Sequence, residues 1–356
     1  MTAPLHVVEV ADSRFPIAEP FAGGMQSLTW HLITGLRRRQ VEISVFAGAG
    51  SDPRLGARFL ECPPVELSET ARQDVSMLPE EWVHQHHSYL RMMLELARRD
   101  DLDVVHNNSL HHLPVAMAEL LPVPVVTTLH TPPTPWLEPV VRFADPSATR
   151  FVAVSRHTAE QWSQVTDAVV IPNGVDADLW PAGPGGSDLA WCGRLAPEKA
   201  PHLAIDIARG AGRRLRLAGP ITDPAYWREE VLPRLGDGVD YVGHLDQRDL
   251  AALLGASALA LVTPTWDEPY GLVAAEALAC GTPVLAFARG GVPEVVDASC
   301  ARLVEGADVQ VAVELVDEAS RLARSAARER AVRDCSVERM VDSYLAVFDG
   351  LRVAVA

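Results

Sequence analysis

The stretch Ala258–Glu294, ALALVTPTWDEPYGLVAAEALACGTPVLAFARGGVPE, decides how the chain must fold. It opens on the apolar run Ala258–Val262, which lacks the alternation of a strand wetted on one face. A strand covered on both faces is therefore expected. Pro264 and Pro269 keep the next segment out of a helix. Tyr270-Gly271-Leu272 then open a helix over Gly271–Ala279 with Leu272, Ala275 and Leu278 along its apolar face. A second apolar strand, Thr282–Ala286, follows. Strand, helix, strand is the unit of a parallel sheet.

The same alternation continues outward from this stretch. The flanking strands are Leu189–Cys192, Leu215–Ala218, Val239–Tyr241 and Ala301–Val304, with a helix over Ala200–Ala211. A separate series precedes them: Leu5–Val10, Val41–Phe46, Val104–His106, Val123–Leu129, Arg150–Val154 and Ala168–Ile171, with a helix over Met25–Arg39. Between the series lies PNGVDADLWPAGPGGSD, residues 172–188, whose Pro, Gly and Asp content reads as a linker. Each half is thus expected to be its own doubly wound α/β sheet, with ligands beyond the carboxyl ends of the strands. Two such sheets face to face leave a cleft. Residues 48–90 read as an excursion with one helix. Ser336–Leu351 carries apolar residues at helical spacing and reads as an amphipathic helix.

A length of 356 residues fits about two domains at roughly 150 each. Hydrophobic residues at 48% against 22% charged residues make both halves ordinary globular material. The net charge of −16 argues against nucleic acid, and no Lys/Arg cluster sits on an apolar helix to hold anionic lipid. Arg37-Arg38-Arg39 and Arg213-Arg214 read as solvated helix ends. The opening MTAPLHVVEVADSRF lacks the pattern of a secretory signal, and no run reaches the ~18 apolar residues of a membrane span. Cysteines at 62, 192, 280, 300 and 335 are odd in number and show no CxxC pair, which suits a reducing compartment without structural zinc. A cytoplasmic protein without integral membrane contact is expected.

Chemistry concentrates in three segments. A helix start at Gly271 exposes unpaired N–H groups and the positive end of the helix dipole, and a glycine there lets a ligand approach; a diphosphate fits. Glu268 before that start and Glu276 within the helix frame it. Their carboxylates accept hydroxyl donors, as sugar and ribose would supply, and no third ligand makes them a metal pair. In WCGRLAPEKA, residues 191–200, Arg194 and Lys199 follow a strand end. They match phosphate oxygens and compensate charge on a diphosphate leaving group. FAGGMQ, residues 21–26, is a further Gly-rich opening.

Taken in order, these segments resemble the family-4 retaining glycosyltransferases of the GT-B fold. The matching residues are Gly23-Gly24, Val154-Ser155-Arg156, Asn173-Gly174-Val175-Asp176, Gly193-Arg194-Leu195 with Glu198-Lys199, Glu268 with seven residues before Glu276, and Gly290-Gly291-Val292-Pro293-Glu294. The resemblance implies two Rossmann-like domains facing across a cleft. Residues 1–172 would form the acceptor side, 173–335 the nucleotide-sugar side, and 336–356 a helix crossing back to the first domain. It implies that Arg194 and Lys199 hold the donor diphosphate, Glu268 the donor sugar and Glu276 the ribose. The amides of Tyr270, Gly271 and Leu272 would hold phosphate or sugar. Gly24, next to Gly23, would let its loop close on the diphosphate, and His130 would lie beside the reacting sugar. Neither a metal nor an organic cofactor is implied. The family usually has Gly where Ala200 stands and Phe where Tyr270 stands; a tolerated methyl and an added hydroxyl are expected.

Other residues carry plainer readings. His84, His86 and His87 mimic metal ligands without an ordered partner. Asp101-Leu102-Asp103 and Asp176-Ala177-Asp178 read as structural. His106, His111 and His112 either line the acceptor cleft or sit in a surface loop. Trp136 and Trp266 either stack on a ligand or pack. The expected activity is retaining transfer of a hexosyl unit from a nucleotide-diphosphate donor, UDP first by family frequency, to a small-molecule or natural-product acceptor. A nucleotide-sugar epimerase of similar architecture and a non-catalytic sugar-nucleotide-binding subunit are the alternatives. The sequence is silent on oligomeric state.

Overall fold

A computed structural model describes residues 4–60 and 65–355, the side chains of 353–355 aside. Met1–Ala3 and Cys62 lie outside the described residues. The first sheet holds β1 (His6–Val10), β2 (Glu42–Phe46), β3 (Arg58–Phe59), β4 (Val104–Asn107), β5 (Val125–Leu129), β6 (Thr149–Ala153) and β7 (Ala168–Val170). The second holds β8 (Leu189–Cys192), β9 (Leu215–Ala218), β10 (Val239–Gly243), β11 (Leu259–Val262), β12 (Val284–Phe287) and β13 (Ala301–Val304). Their orders are β3-β2-β1-β4-β5-β6-β7 and β10-β9-β8-β11-β12-β13, and all the pairings between these strands are parallel. Both sheets are doubly wound, and the chain has the GT-B architecture. The order reverses between β1 and β4 in one sheet and between β8 and β11 in the other, which is where such sheets bind ligands.

The helices that matter for the cleft are α1 (Gly24–Arg38), α2 (Glu80–Leu96), α3 (Arg156–Trp162), α4 (Pro201–Gly210), α5 (Leu272–Ala279) and α6 (Val337–Val355). The twelve strands legible in the sequence all form. β5 and β12 begin later than expected because Pro124 and Pro283 have no N–H to give a ladder. Both prolines contribute carbonyls instead, to Val105 and Ala260. The inner strands are buried end to end, as the lack of alternation required.

Two expectations need correction. Residues 48–90 hold more than one helix. A 3₁₀ turn at Pro53–Leu55, the exposed edge strand β3 and a single turn at Glu69–Arg72 precede α2. A two-residue strand has no period to read. Residues 172–188 connect the two sheets, and the connection is packed. Trp180 is fully buried, and Asp176, likewise buried, pairs with Arg38 at 2.9 Å. The Arg328 guanidinium donates to the carbonyls of Ala177 and Trp180. Arg38, at the end of α1, is therefore a tie to this connection rather than a purely solvated charge.

Helix α6 packs against α1. Met340, Val341, Tyr344 and Phe348 enter the core of the first sheet beside Leu28, Leu32 and Leu36. The approach needs Gly35: a Cβ there would lie 2.5 Å from Val341 Cγ2. The root of α6 pairs back through the bridge Val175–Ser336. A hydrogen-bonded seam joins the halves elsewhere. Ser155 Oγ donates to the Pro269 carbonyl at 2.6 Å, and the Glu294 carboxylate accepts from the Arg156 and His157 amides at 2.9 and 2.8 Å.

Candidate active site

A cleft of about 860 Å³ lies at the carboxyl ends of the strands of both sheets. Gly23, Gly24, His130, Arg194, Lys199, Glu268, Tyr270, Gly271, Leu272 and Glu276 all line it. Residues far apart in sequence thus meet in one place.

The C-terminal wall is built on the opening of α5. Gly271 stands at φ +98°, a left-handed conformation natural to glycine, and no side chain caps the helix start. The turn before it is held from behind by Gly290 and Gly291. A Cβ on Gly290, at φ +62°, would lie 2.2 Å from the Glu268 carbonyl, and one on Gly291 would lie 2.5 Å from that of Pro269. The Gly291 amide donates to the Glu268 carbonyl at 2.6 Å. The GGVPE segment therefore supports residues 268–270 through two glycines and seams the domains through Glu294.

Facing this wall is the start of α1. A Cβ on Gly24 would meet Leu272 Cδ2 at 3.6 Å, and one on Gly23 would meet Arg194 Cδ at 4.0 Å. Two helix openings and a guanidinium thus converge across the cleft. Lys199 ends the turn Pro197–Lys199, fixed by Thr263, whose Oγ1 lies 3.2 Å from the Lys199 carbonyl and accepts from Trp191 Nε1 at 3.0 Å. Lys199 Nζ donates to Glu268 Oε2 at 2.5 Å, and Trp266 Nε1 donates to the same oxygen at 3.0 Å. Arg194 Nη2 pairs with Glu198 at 2.8 Å. Each cation is held in register by a neighbouring acid.

Glu276, on α5, is 6% exposed. No hydrogen bond reaches its carboxyl from the described residues, and burial pushes it up to about 8. Its protonated form is thus favoured below that pH. His130 follows β5 and is buried; its Nε2 lies 3.0 Å from Asn108 Oδ1. Burial, then neighbouring His106, pushes the imidazole down to about 3, so it is neutral at physiological pH.

The two departures from the family pattern have structural content. Ala200 stands at φ +47°, so its methyl occupies a backbone conformation that favours glycine, while packing fully buried. The Tyr270 hydroxyl faces Cys335, just ahead of α6, and burial drives it well above its ordinary range.

Sequence reading missed Asp12 and Arg14. Both line the cleft after β1, and Asp12 holds Arg14 through Nε at 3.0 Å and Nη2 at 2.6 Å. An acid directly after the first strand was the available signal. The other histidines divide. His106 is completely buried within β4 and lines nothing. His111 stacks on Tyr89 at 4.1 Å and on His112 at 4.6 Å, just outside the cleft, where Leu110 is the lining residue. His86 stacks on Trp82, and His84 pairs with Glu80. Among the described residues no group of three or more His, Cys, Asp or Glu is placed to hold a metal ion. Asp101 pairs with Arg99, and Asp103 accepts from the His6 amide, both structural. Trp136 is largely exposed beside His112, whereas Trp266 lines the cleft. No helix among the described residues is long and apolar enough to cross a membrane.

Comparison with known proteins agrees with this geometry. The model of Glycosyltransferase Family 4 matches residues 22–179, and that of Glycosyl transferases group 1 matches 185–332. A glycogen synthase of Mycobacterium tuberculosis is 31% identical over 290 residues, covering 70% of this chain and 70% of its own. An MMP alpha-(1->4)-mannosyltransferase of Mycolicibacterium hassiacum is 28% identical over 92% of this chain and 94% of its own. Among solved structures, AviGT4, a glycosyltransferase involved in avilamycin A biosynthesis, superposes with a TM-score of 0.71 at 24% identity, covering 98% of each chain. Anabaena Alr3699/HepE in complex with UDP-glucose gives 0.76 at 18% identity, over 98% of this chain and 100% of its own. With both family models in chain order over a cleft of this construction, the chain belongs to the family-4 glycosyltransferases of the GT-B fold, enzymes that move sugars from sugar-nucleotide donors.

Proposed function

We propose that the protein is a metal-independent, cytoplasmic, retaining hexosyltransferase acting on a small-molecule acceptor, with a UDP-sugar as first-choice donor. The carrying observation is the convergence of Arg194, Lys199 and the α5 opening on Gly23 and Gly24 across one cleft. A diphosphate seated there meets two cations and two sets of unpaired amides, which favour it and the charge that develops as the glycosyl bond breaks. UDP as donor draws support from Alr3699/HepE, which has been solved with UDP and with UDP-glucose.

In this reading Lys199 exchanges partners. It leaves Glu268 for the diphosphate, which frees the Glu268 carboxylate for hydroxyls of the donor sugar, while Glu276 takes the ribose. Of the three carboxylates lining the cleft, Asp12 is bound to Arg14 and Glu268 to Lys199, and Glu276 sits deep in α5. That arrangement favours attack from the face of departure, with the leaving phosphate oxygen assisting deprotonation, over a covalent glycosyl-enzyme. The Asp12–Arg14 pair and His130 stand on the acceptor side.

A thermal-shift screen of nucleotide sugars identifies the donor. One present at a hundred times its dissociation constant adds about 2.7 kcal/mol. NMR of the product then reads the anomeric configuration. An inverted product removes retention, and donor epimerised without any acceptor would replace transfer by epimerisation.

A further inference from the structure

Behind His130 lies a closed polar network that the transfer chemistry does not itself call for. Glu9, His106, Asn108 and Thr128 lie in or at the ends of the three central strands β1, β4 and β5, each at most 1% exposed. Tyr344 joins them from α6 at the same burial. The Glu9 carboxylate reaches His106 Nδ1 through Oε1 at 3.0 Å and Asn108 Nδ2 through Oε2 at 2.9 Å. His106 Nε2 meets Thr128 Oγ1 at 2.9 Å, and Thr128 Oγ1 meets the Tyr344 hydroxyl at 2.9 Å. Asn108 Oδ1 meets His130 Nε2 at 3.0 Å.

The proton directions follow from donor inventory. A carboxylate only accepts, so Asn108 must turn its NH₂ to Glu9 and its carbonyl to His130. A carbonyl only accepts too, so His130 must carry its proton on Nε2. His106 gives its Nδ1 proton to Glu9, which makes the 3.2 Å approach of Asn108 Nδ2 to that nitrogen a packing contact. With His106 neutral, its Nε2 accepts from Thr128, whose oxygen accepts from Tyr344. In that arrangement the donors point toward Glu9, and Glu9, His106, Asn108, Thr128 and Tyr344 each have a partner, the condition for a buried network to be stable.

We infer that Glu9 is a positioning residue for the transfer reaction: through Asn108 it holds His130 as the neutral Nε2–H tautomer, leaving Nδ1 as a proton acceptor at the cleft. The inference rests on the transferase reading for its catalytic consequence, but not for the tautomer. Nδ1 receives no hydrogen bond from the described residues, and the ring lines the cleft beside Thr131. A hydroxyl of either substrate would find an acceptor of fixed direction there. The Tyr344 end carries the same network to the helix that crosses between the domains, and Tyr344 lies farther from His130 in the chain of bonds than Glu9 does.

The test is long-range ¹H–¹⁵N NMR of the full chain with ¹⁵N-labelled histidine, His130 being assigned through His130→Gln. Wild type should show a single neutral tautomer with the proton on Nε2 at pH 7. Glu9→Gln replaces one acceptor with a donor, so either His106 or Asn108 must turn over. An inverted Asn108 would present NH₂ to Nε2 and move the proton to Nδ1. The expected result is a shifted tautomer population together with a loss in kcat of about tenfold to a hundredfold, with donor KM less affected. Tyr344→Phe, at the far end, should leave the His130 tautomer intact. If Glu9→Gln does not fold, Asn108→Ala serves, and should give mixed tautomers. Wild type with the proton on Nδ1, or a folded Glu9→Gln that loses activity with its His130 tautomer unchanged, would overturn the assignment. Failure of wild type to transfer from any nucleotide sugar would refute the transferase reading alone, since the tautomer is read in the free protein.

Discussion

Glu276→Gln should make the protein more stable and, on the proposed donor pose, a worse binder of its donor; the structure gives the size of the first effect. The carboxyl sits in α5 with no partner from the described residues, displaced from an ordinary value of 4.5 to about 8 by burial. The sign is that of an acid whose folded value is raised. Below about 4.5 the folded and unfolded chains both hold the proton, and nothing is lost. As pH rises toward 8 the unfolded chain ionises first, and stability falls by up to about 1.4 kcal/mol per pH unit. The burden reaches about 3 kcal/mol at pH 7 and about 5 above pH 8. Gln has nearly the same shape and no charge, but its amide also wants partners, so a net gain of about 1–3 kcal/mol at pH 8 is expected. That gain should vanish near pH 4. Denaturant titration of both proteins from pH 4 to 8 reads it. Donor binding should move the other way. In the proposed donor pose, ribose hydroxyls donating to an ionised Glu276 would make charge-assisted bonds, and their loss should weaken binding about tenfold to a hundredfold. Wild type should also release close to one proton per donor bound at pH 7, seen by calorimetry in buffers of different ionisation enthalpy, and Glu276→Gln should not. Equal stability at pH 4 and pH 8 relative to wild type, with unchanged proton release, would refute the reasoning.

Gly290→Ala should abolish donor binding, because the new Cβ would press on the Glu268 carbonyl at 2.2 Å from a left-handed backbone; calorimetry of donor binding reads it against circular dichroism for folding. Glu294→Ala removes two amide bonds at the start of α3 and should cost about 0.5–2 kcal/mol in denaturant unfolding. Gly35→Val would drive a side chain into Val341, cost about 1–3 kcal/mol, and raise hydrogen exchange in α6 selectively.

The fold was legible because both sheets are buried on both faces: uninterrupted apolar strands such as Val284–Phe287, broken by Ala-rich helices, admit few other arrangements. The cleft-lining residues of the second sheet were legible for a related reason. Arg194, Lys199, Glu268 and Glu276 all sit within a few residues of a strand end or helix start, and those are local features. The lining contributed by the first sheet was not. Asp12 and Arg14 are an unremarkable pair in sequence, and Glu9 and Asn108 matter only because β1 and β4 lie side by side, a pairing set by sheet order. His106 illustrates the same point, since its place near a strand end left a cleft residue and a surface loop both open, while the neighbouring strands enclose it. Ala200 shows the converse. A departure from a familiar Gly reads as harmless in sequence, whereas its φ of +47° marks a backbone that still favours glycine.

The grip on the diphosphate is tested most directly by calorimetric titration of wild type and Lys199→Ala with UDP, GDP and ADP, each beside its nucleoside. The account predicts that at least one diphosphate binds wild type and loses about tenfold to a hundredfold in Kd on Lys199→Ala, while its nucleoside is unaffected. Diphosphate affinity that is the same in both proteins would contradict it.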